Sequence, residues 1–360
     1  MSPSSASSPI KVTRLWNDIN IFMKVLRTLS RLIATIAAVS SAPLLAQVSA
    51  PASTFGGYLF VTFKGEQGPL AEQIYFNLSK DGRHWTTLND GNPVLVSNVG
   101  EKGVRDSFLL RARDGKFYLI ATDLSWARNR SVSRATHAGS RSIVIWDSTD
   151  LVHWSEPRLV QVAPDDAGCV WAPEAIYDPE AGDYLVYWAS TTKRDNFAKF
   201  RIWAAHTKDF KTFGAPFVYI DKPATIIDTT MIFDGRNYYR FTKDEKVKAV
   251  TMETSPKLTG PWTEVSSFSL GKLLGHEGPE CYLIEPASVG KPATWGLVLD
   301  YYAKGLGYQP FVTHDLASGQ FTPGEGFTFP YPFRHGSILP VTIAEYQRLE
   351  AAYPNTAPAK

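Results

Sequence analysis

Arg105-Asp106-Ser107-Phe108-Leu109-Leu110 opens a series of five segments, each with an ionisable residue at the head of an apolar, β-rich run. The others are Pro173-Glu174-Ala175-Ile176-Tyr177, Ile227-Asp228-Thr229-Thr230-Met231-Ile232-Phe233, His276-Glu277-Gly278-Pro279-Glu280-Cys281-Tyr282-Leu283-Ile284 and Arg334-His335-Gly336-Ser337-Ile338-Leu339-Pro340-Val341. An apolar run of this length marks a strand covered on both faces. A bare charge at its head is costly unless a partner or a function keeps it there.

An aromatic strand follows each segment, as in Lys116 to Asp123, Asp183 to Ser190, Asn237 to Thr242 and Trp295 to Tyr302, and a matching strand runs from Tyr58 to Phe63. Asp114-Gly115, Ala181-Gly182 and Asp234-Gly235 precede three of them as tight-turn signals. A third strand ends in Ser or Thr, then Asp, then an aromatic anchor: Trp85, Trp154 and Phe213, with degraded copies at Trp262 and Phe321. These anchors lie 69, 59, 49 and 59 residues apart, a period that implies repeated multi-stranded units.

The units number five, and the chain begins on a second strand and finishes on a first strand. The expectation is an all-β, five-bladed β-propeller over residues 51–353, its ring closed by the C-terminal strand completing the N-terminal blade. The first strand of each blade lines the channel, so Asp106, Glu174, Asp228, Glu277 and His335 are expected at equivalent points around one cavity. A single helix is expected over Thr342 to Ala352, with residues 354–360 as a tail.

Composition agrees with one large globular core: 360 residues, 44% hydrophobic, with 20 Phe, 16 Tyr and 10 Trp. A net charge of +2, with both signs dispersed, gives no reason to expect a nucleic-acid partner. Residues 23–50 read as a signal peptide, with a basic Met23 to Arg31, an apolar Leu32 to Ala46 and small residues at the end. Residues 1–22 then form an upstream extension, and export to the periplasm or the exterior, with no membrane attachment after cleavage, is expected. The two thiols, Cys169 and Cys281, lack the spacing of a zinc framework, and the sequence leaves open whether they pair.

The pattern resembles the five-bladed propeller enzymes of glycoside hydrolase family 43 over about residues 55 to 345. The resemblance implies a general base at Asp106, a pKa-modulating carboxylate at Asp228 and a general acid at Glu277 in Glu277-Gly278-Pro279. Trp171-Ala172-Pro173-Glu174 resembles a Trp-Ala-Pro-Asp element of that family, although Ser107 and Thr229 stand where its aspartates are usually followed by proline. Substrate contacts are expected from Glu174, Trp171, Arg105, Trp126 and His335, with Trp126 and Trp171 suited equally to stacking on a sugar face and to packing between blades; no required cofactor and a carbohydrate partner are expected. His335 matches a channel histidine near a water or calcium, so calcium at the channel stays open.

Two carboxyl groups about 6.5–9.5 Å apart suit hydrolysis with inversion. Glu277 is expected to serve as the acid, its proton held by burial and by the Asp228 carboxylate. Exo-acting removal of α-L-arabinofuranosyl groups is the favoured activity, with β-D-xyloside and β-D-galactofuranoside as rivals. A retaining sucrose-type enzyme is weakly echoed by Asn89-Asp90-Gly91-Asn92-Pro93, Arg105-Asp106-Ser107 and Glu280-Cys281. A glycan-binding propeller without catalysis is the other class to separate. The basic insertion from Ser125 to Arg141 either walls the pocket or is a solvated loop.

Overall fold

The computed structural model describes residues 54–356, so the expected leader falls outside the described residues. Within them the chain forms five four-stranded antiparallel sheets. The first pairs β1 (Phe55–Thr62), β2 (Tyr75–Ser79) and β3 (Thr86–Thr87) with the last strand of the chain. The second holds β4 (Val104–Arg111), β5 (Phe117–Asp123), β6 (Ser142–Ser148) and β7 (Arg158–Gln161). The third holds β8 (Trp171–Asp178), β9 (Asp183–Ser190), β10 (Arg201–Thr207) and β11 (Phe217–Ile220). The fourth holds β12 (Ile226–Phe233), β13 (Tyr238–Asp244), β14 (Ala249–Ser255) and β15 (Thr263–Glu264). The fifth holds β16 (Glu277–Glu285), β17 (Thr294–Asp300), β18 (Tyr308–Thr313) and β19 (Thr322–Pro323), and β20 (Ser337–Thr342) returns to the first.

Ring closure is explicit in the register, with Tyr58 opposite Pro340 and Val61 opposite Ser337. The core is divided among the seams between neighbouring blades. Tyr58, Phe60, Tyr282, Val298 and Phe333 fill the seam between the fifth and first blades, and Phe241, Val250, Leu297 and Leu299 that between the fourth and fifth. Sheets covered on both faces explain the unbroken apolar runs of the inner strands.

The repeated Ser/Thr-x-Asp motif is structural. Asp81 Oδ1 accepts the N–H groups of Arg83 and His84 at 2.9 Å, and Asp150 and Asp209 repeat the same turn in the next two blades. Helix α1 (Val132–His137) lies in the 125–141 insertion, an element the sequence reading did not anticipate. Helix α2 (Ile343–Ala352) begins with a capping box between Thr342 and Glu345. Cys169 and Cys281 are both buried free thiols.

Because each second strand runs toward the start of its inner strand, the loops at 63–74, 124–141, 191–200, 244–248 and 301–307 all rise at one end of the channel. That end carries the cavity.

Candidate active site

A backbone irregularity recurs in four inner strands. The ladder slips by one residue between Arg105 and Phe108, Trp171 and Glu174, Ile227 and Thr229, and Glu277 and Glu280. Each bulge contains one residue in the left-handed region: Asp106 (φ 48°), Ala172 (φ 47°), Asp228 (φ 49°) and Gly278 (φ 52°). A bulge of this kind re-aims the flanking side chains, and a non-glycine residue there carries a modest strain.

The bulges set the phase of the repeat. Asp106 and Asp228 are equivalent, but their counterparts are Ala172 and Gly278, not Glu174 and Glu277. Glu277 stands at the position of Arg105, Trp171 and Ile227, immediately before the bulge. Arg105, Asp106, Trp171, Ile227, Asp228 and Glu277 line one cavity of about 620 Å³, together with Trp126, His335, Glu66, Gln67, Leu124, Arg130, Glu245, Tyr302 and Arg334. Seven of the eight expected site residues are therefore brought together.

Glu174 is the exception. It lies two residues past its bulge, deeper along the channel, and equivalent to Glu280. The Tyr187 hydroxyl donates to Glu174 Oε2 at 2.8 Å, and the Ile338 N–H donates to Glu280 Oε1 at 2.7 Å. Burial, and then the charge of Glu280, pushes the Glu174 pKa well up, while burial takes Glu280 to about 8. Glu174 is a channel-wall carboxyl and does not line the cavity.

The three carboxylates at the cavity have different surroundings. Asp106 Oδ2 accepts from Thr122 Oγ1 at 3.0 Å, and the same Thr122 oxygen accepts the Ala172 N–H at 2.8 Å. His335 Nδ1 is 3.6 Å from Asp106 Oδ1, and burial lowers the histidine pKa, favouring the neutral ring. Asp228 is buried, and its Oδ2 accepts the Gly278 N–H at 3.1 Å. Burial, followed by repulsion from Glu277, raises its pKa well above the carboxylate range.

Glu277 is less enclosed than expected, with its side chain 20% exposed. Lys243 Nζ donates to its Oε2 at 2.6 Å and also meets Glu245 at 2.8 Å. The lysine is itself almost fully buried; burial opposes its charge, but Glu277, Asp228 and Glu245 outweigh that and raise its pKa. Arg334 lies 3.8 Å from the other Glu277 oxygen and donates from Nε to Asp300 at 2.6 Å. Asp300 is completely buried with its second oxygen unpartnered, and burial lifts its pKa to about 6 despite Arg334. The expected burial thus falls on Asp228, and Glu277 is the ion-paired member of the two.

Gly278 is required by close approach as well as by its φ, since a Cβ there would stand 2.6 Å from His335 Cγ. Among the described residues no cluster of three His, Cys, Asp or Glu side chains is arranged to hold a metal.

Sequence reading missed Glu66, Glu72, Lys243, Glu245, Asp300, Tyr302 and the site roles of Arg130 and Arg334. Fully buried Glu72 accepts from Ser125 Oγ at 2.6 Å and from the N–H groups of Trp126 and Ala127 at 2.8 and 3.1 Å, fixing the Trp126 loop. Glu66 is held by Arg105 at 2.9 Å, and its backbone oxygen accepts from Arg130 at 3.1 Å. The insertion containing Arg130 is therefore a pocket wall. Polar residues closing apolar second strands, such as Thr122-Asp123, Lys243-Asp244 and Asp300, were the available signal.

The described residues thus form a five-bladed propeller whose cavity is lined by Asp106, Asp228 and Glu277. Residues 53–347 match a family related to glycoside hydrolase family 43, described as "Probable glycosyl hydrolase domain", and the chain belongs to that family. It is 32% identical over 330 residues to an "Alpha-L-arabinofuranosidase" of Bifidobacterium longum subsp. longum, an alignment taking 79% of this chain. The chain spans 30% of the length of that relative. The fold is similar to that of Penicillium chrysogenum alpha-L-arabinanase, with 16% identity and a TM-score of 0.50 over 82% of this chain and 86% of that one.

Proposed function

We propose that this protein is an exported, exo-acting α-L-arabinofuranosidase that hydrolyses terminal arabinofuranosyl groups of a saccharide with inversion. The observation that carries the reading is the entry of Asp106 and Glu277 into one cavity from non-adjacent blades, with buried Asp228 lining the same cavity. Asp106 takes a proton from water while the water oxygen bonds to the anomeric carbon. The glycosidic C–O bond breaks, and Glu277 delivers a proton to the leaving oxygen.

Each neighbour has a part in this scheme. Thr122 orients the base, and neutral His335 packs beside it without neutralising it. Asp228, its pKa raised by burial and by the charge of Glu277, is the neighbouring carboxyl from which Glu277 can draw the proton it delivers. The Glu66, Arg105 and Arg130 clamp walls one side of the cavity, which supports action at a chain end.

The name of the Bifidobacterium relative supports arabinose over β-D-xylose and β-D-galactofuranose. The sucrose-type alternative loses its nucleophile, because Asp90 is at the blade rim bonded to Thr356 at 2.7 Å. The test is Glu277→Gln assayed on arabinofuranosides of graded leaving-group pKa, alongside xylosides and galactofuranosides. Poor leaving groups should lose about 10²–10⁴-fold in rate and activated aryl groups much less. Equal losses on both would move the acid away from Glu277, and sugar binding without turnover by the unaltered protein would make it a lectin.

A further inference from the structure

We propose that the rim between the fourth and fifth blades is the binding site for the leaving group, a saccharide that lays the C–H face of a sugar ring on Tyr302 and extends outward over aliphatic side chains. The proposal rests on Glu277 being the acid. A general acid must lie within hydrogen-bond reach of the oxygen it protonates, so the leaving group occupies the side of the cavity from which Glu277 enters.

Three segments flank Glu277 there: the turn at 244–248, the lead-in at 274–276 and the loop at 301–307. They form one surface, since the Gly275 N–H donates to Lys248 O at 2.8 Å and the Ala303 N–H donates to Gly275 O at 3.3 Å. Tyr302 and Glu245 belong to the cavity lining. Lys243 Nζ lies 4.2 Å from the Tyr302 ring centroid, so one face of the ring is fixed by the lysine that holds Glu277.

Outside the cavity each segment presents one exposed aliphatic residue: Val247 (53% exposed), Leu274 (62%) and Leu306 (52%). Apolar residues grouped at a cavity mouth mark a ligand surface more often than scattered ones do. The opposite wall carries Glu66, Gln67, Arg105 and Arg130 together with Leu124 and Trp126. Beside the acid, Tyr302 of the lining and the three exposed aliphatic residues make an aromatic and aliphatic shelf. A saccharide with one ring over Tyr302 and the next over Leu274 continues from the cavity without a break.

The experiment compares α-1,5-arabinotriose with methyl α-L-arabinofuranoside, whose leaving group is too short to reach the shelf. Tyr302→Ala and Leu274→Asp should each lower kcat/KM on the triose, relative to the methyl glycoside, by about tenfold or more, a difference of about 1.4 kcal/mol. Leu274 is a surface residue, so that variant remains informative if Tyr302→Ala fails to fold. Equal losses on both substrates, or no loss on either, overturn the shelf. Failure of the acid assignment is recognised separately, by Glu277→Gln retaining its rate on the methyl glycoside.

Discussion

Replacing Lys243 by methionine removes the one cation placed between Glu277, Glu245 and Asp228 while keeping a chain of similar length. The lysine is 1% exposed and approaches Glu277 to 2.6 Å and Glu245 to 2.8 Å. At an effective dielectric constant near 20, a unit charge pair at about 4 Å is worth about 4 kcal/mol. Both glutamates are partly exposed, at 20% and 26%, so water recovers part of that and a stability loss of about 1–3 kcal/mol is expected. The charge of Lys243 lowers the Asp228 pKa, so its loss lifts that already raised pKa further. Asp228 then keeps its proton to higher pH, and the alkaline limb of kcat/KM moves upward. The assay is a pH profile on 4-nitrophenyl α-L-arabinofuranoside, with thermal unfolding recorded to establish that the variant is folded. An alkaline limb that stays in place or moves down in a folded variant would refute the reasoning.

Three further outcomes follow from the same geometry. Gly278→Ala should cost about 1–3 kcal/mol in thermal unfolding and most of kcat, since a Cβ at φ 52° collides with His335 beside the acid. Thr122→Val leaves the Ala172 N–H unpaired and Asp106 unsupported, so it should cost about 1–3 kcal/mol in denaturant unfolding and lower kcat more than it changes KM. Glu280 has a folded pKa of about 8 against an ordinary 4.5, so its contribution is complete below pH 4.5 and disappears as pH rises through 8. Glu280→Gln should remove up to about 1.4 kcal/mol per pH unit of slope from the stability profile in that window, measured by denaturant unfolding.

The ring was legible in the sequence because the strand pattern and aromatic anchors recur every 49 to 69 residues, and because Ser/Thr-x-Asp turns mark the end of the third strand in four of the five blades. Asp106, Asp228 and Glu277 were legible as charges at the heads of apolar strands. Their phase was not. One extra residue in a strand changes which face every later side chain takes, and nothing in Asp106 or Ala172 announces a left-handed bulge. Counting from the apolar run alone therefore set Glu174 beside Asp106, although it belongs with Glu280 two residues deeper. Lys243, Asp300 and Glu72 escaped for a different reason: they sit on second strands and loops, and only tertiary pairing, such as Ile227 opposite Lys243 and Glu277 opposite Asp300, places them behind the residues that line the cavity. Trp171 and Trp126 both line the cavity, and Trp171 also packs against Phe200.

The central claim is that Asp106 activates water on the face of the sugar opposite the bond that Glu277 protonates. Proton NMR of the first anomer released from an α-L-arabinofuranoside, recorded before mutarotation, tests it most directly. The account predicts β-arabinofuranose as the first product; α-arabinofuranose would contradict it and make one of the two carboxylates a nucleophile.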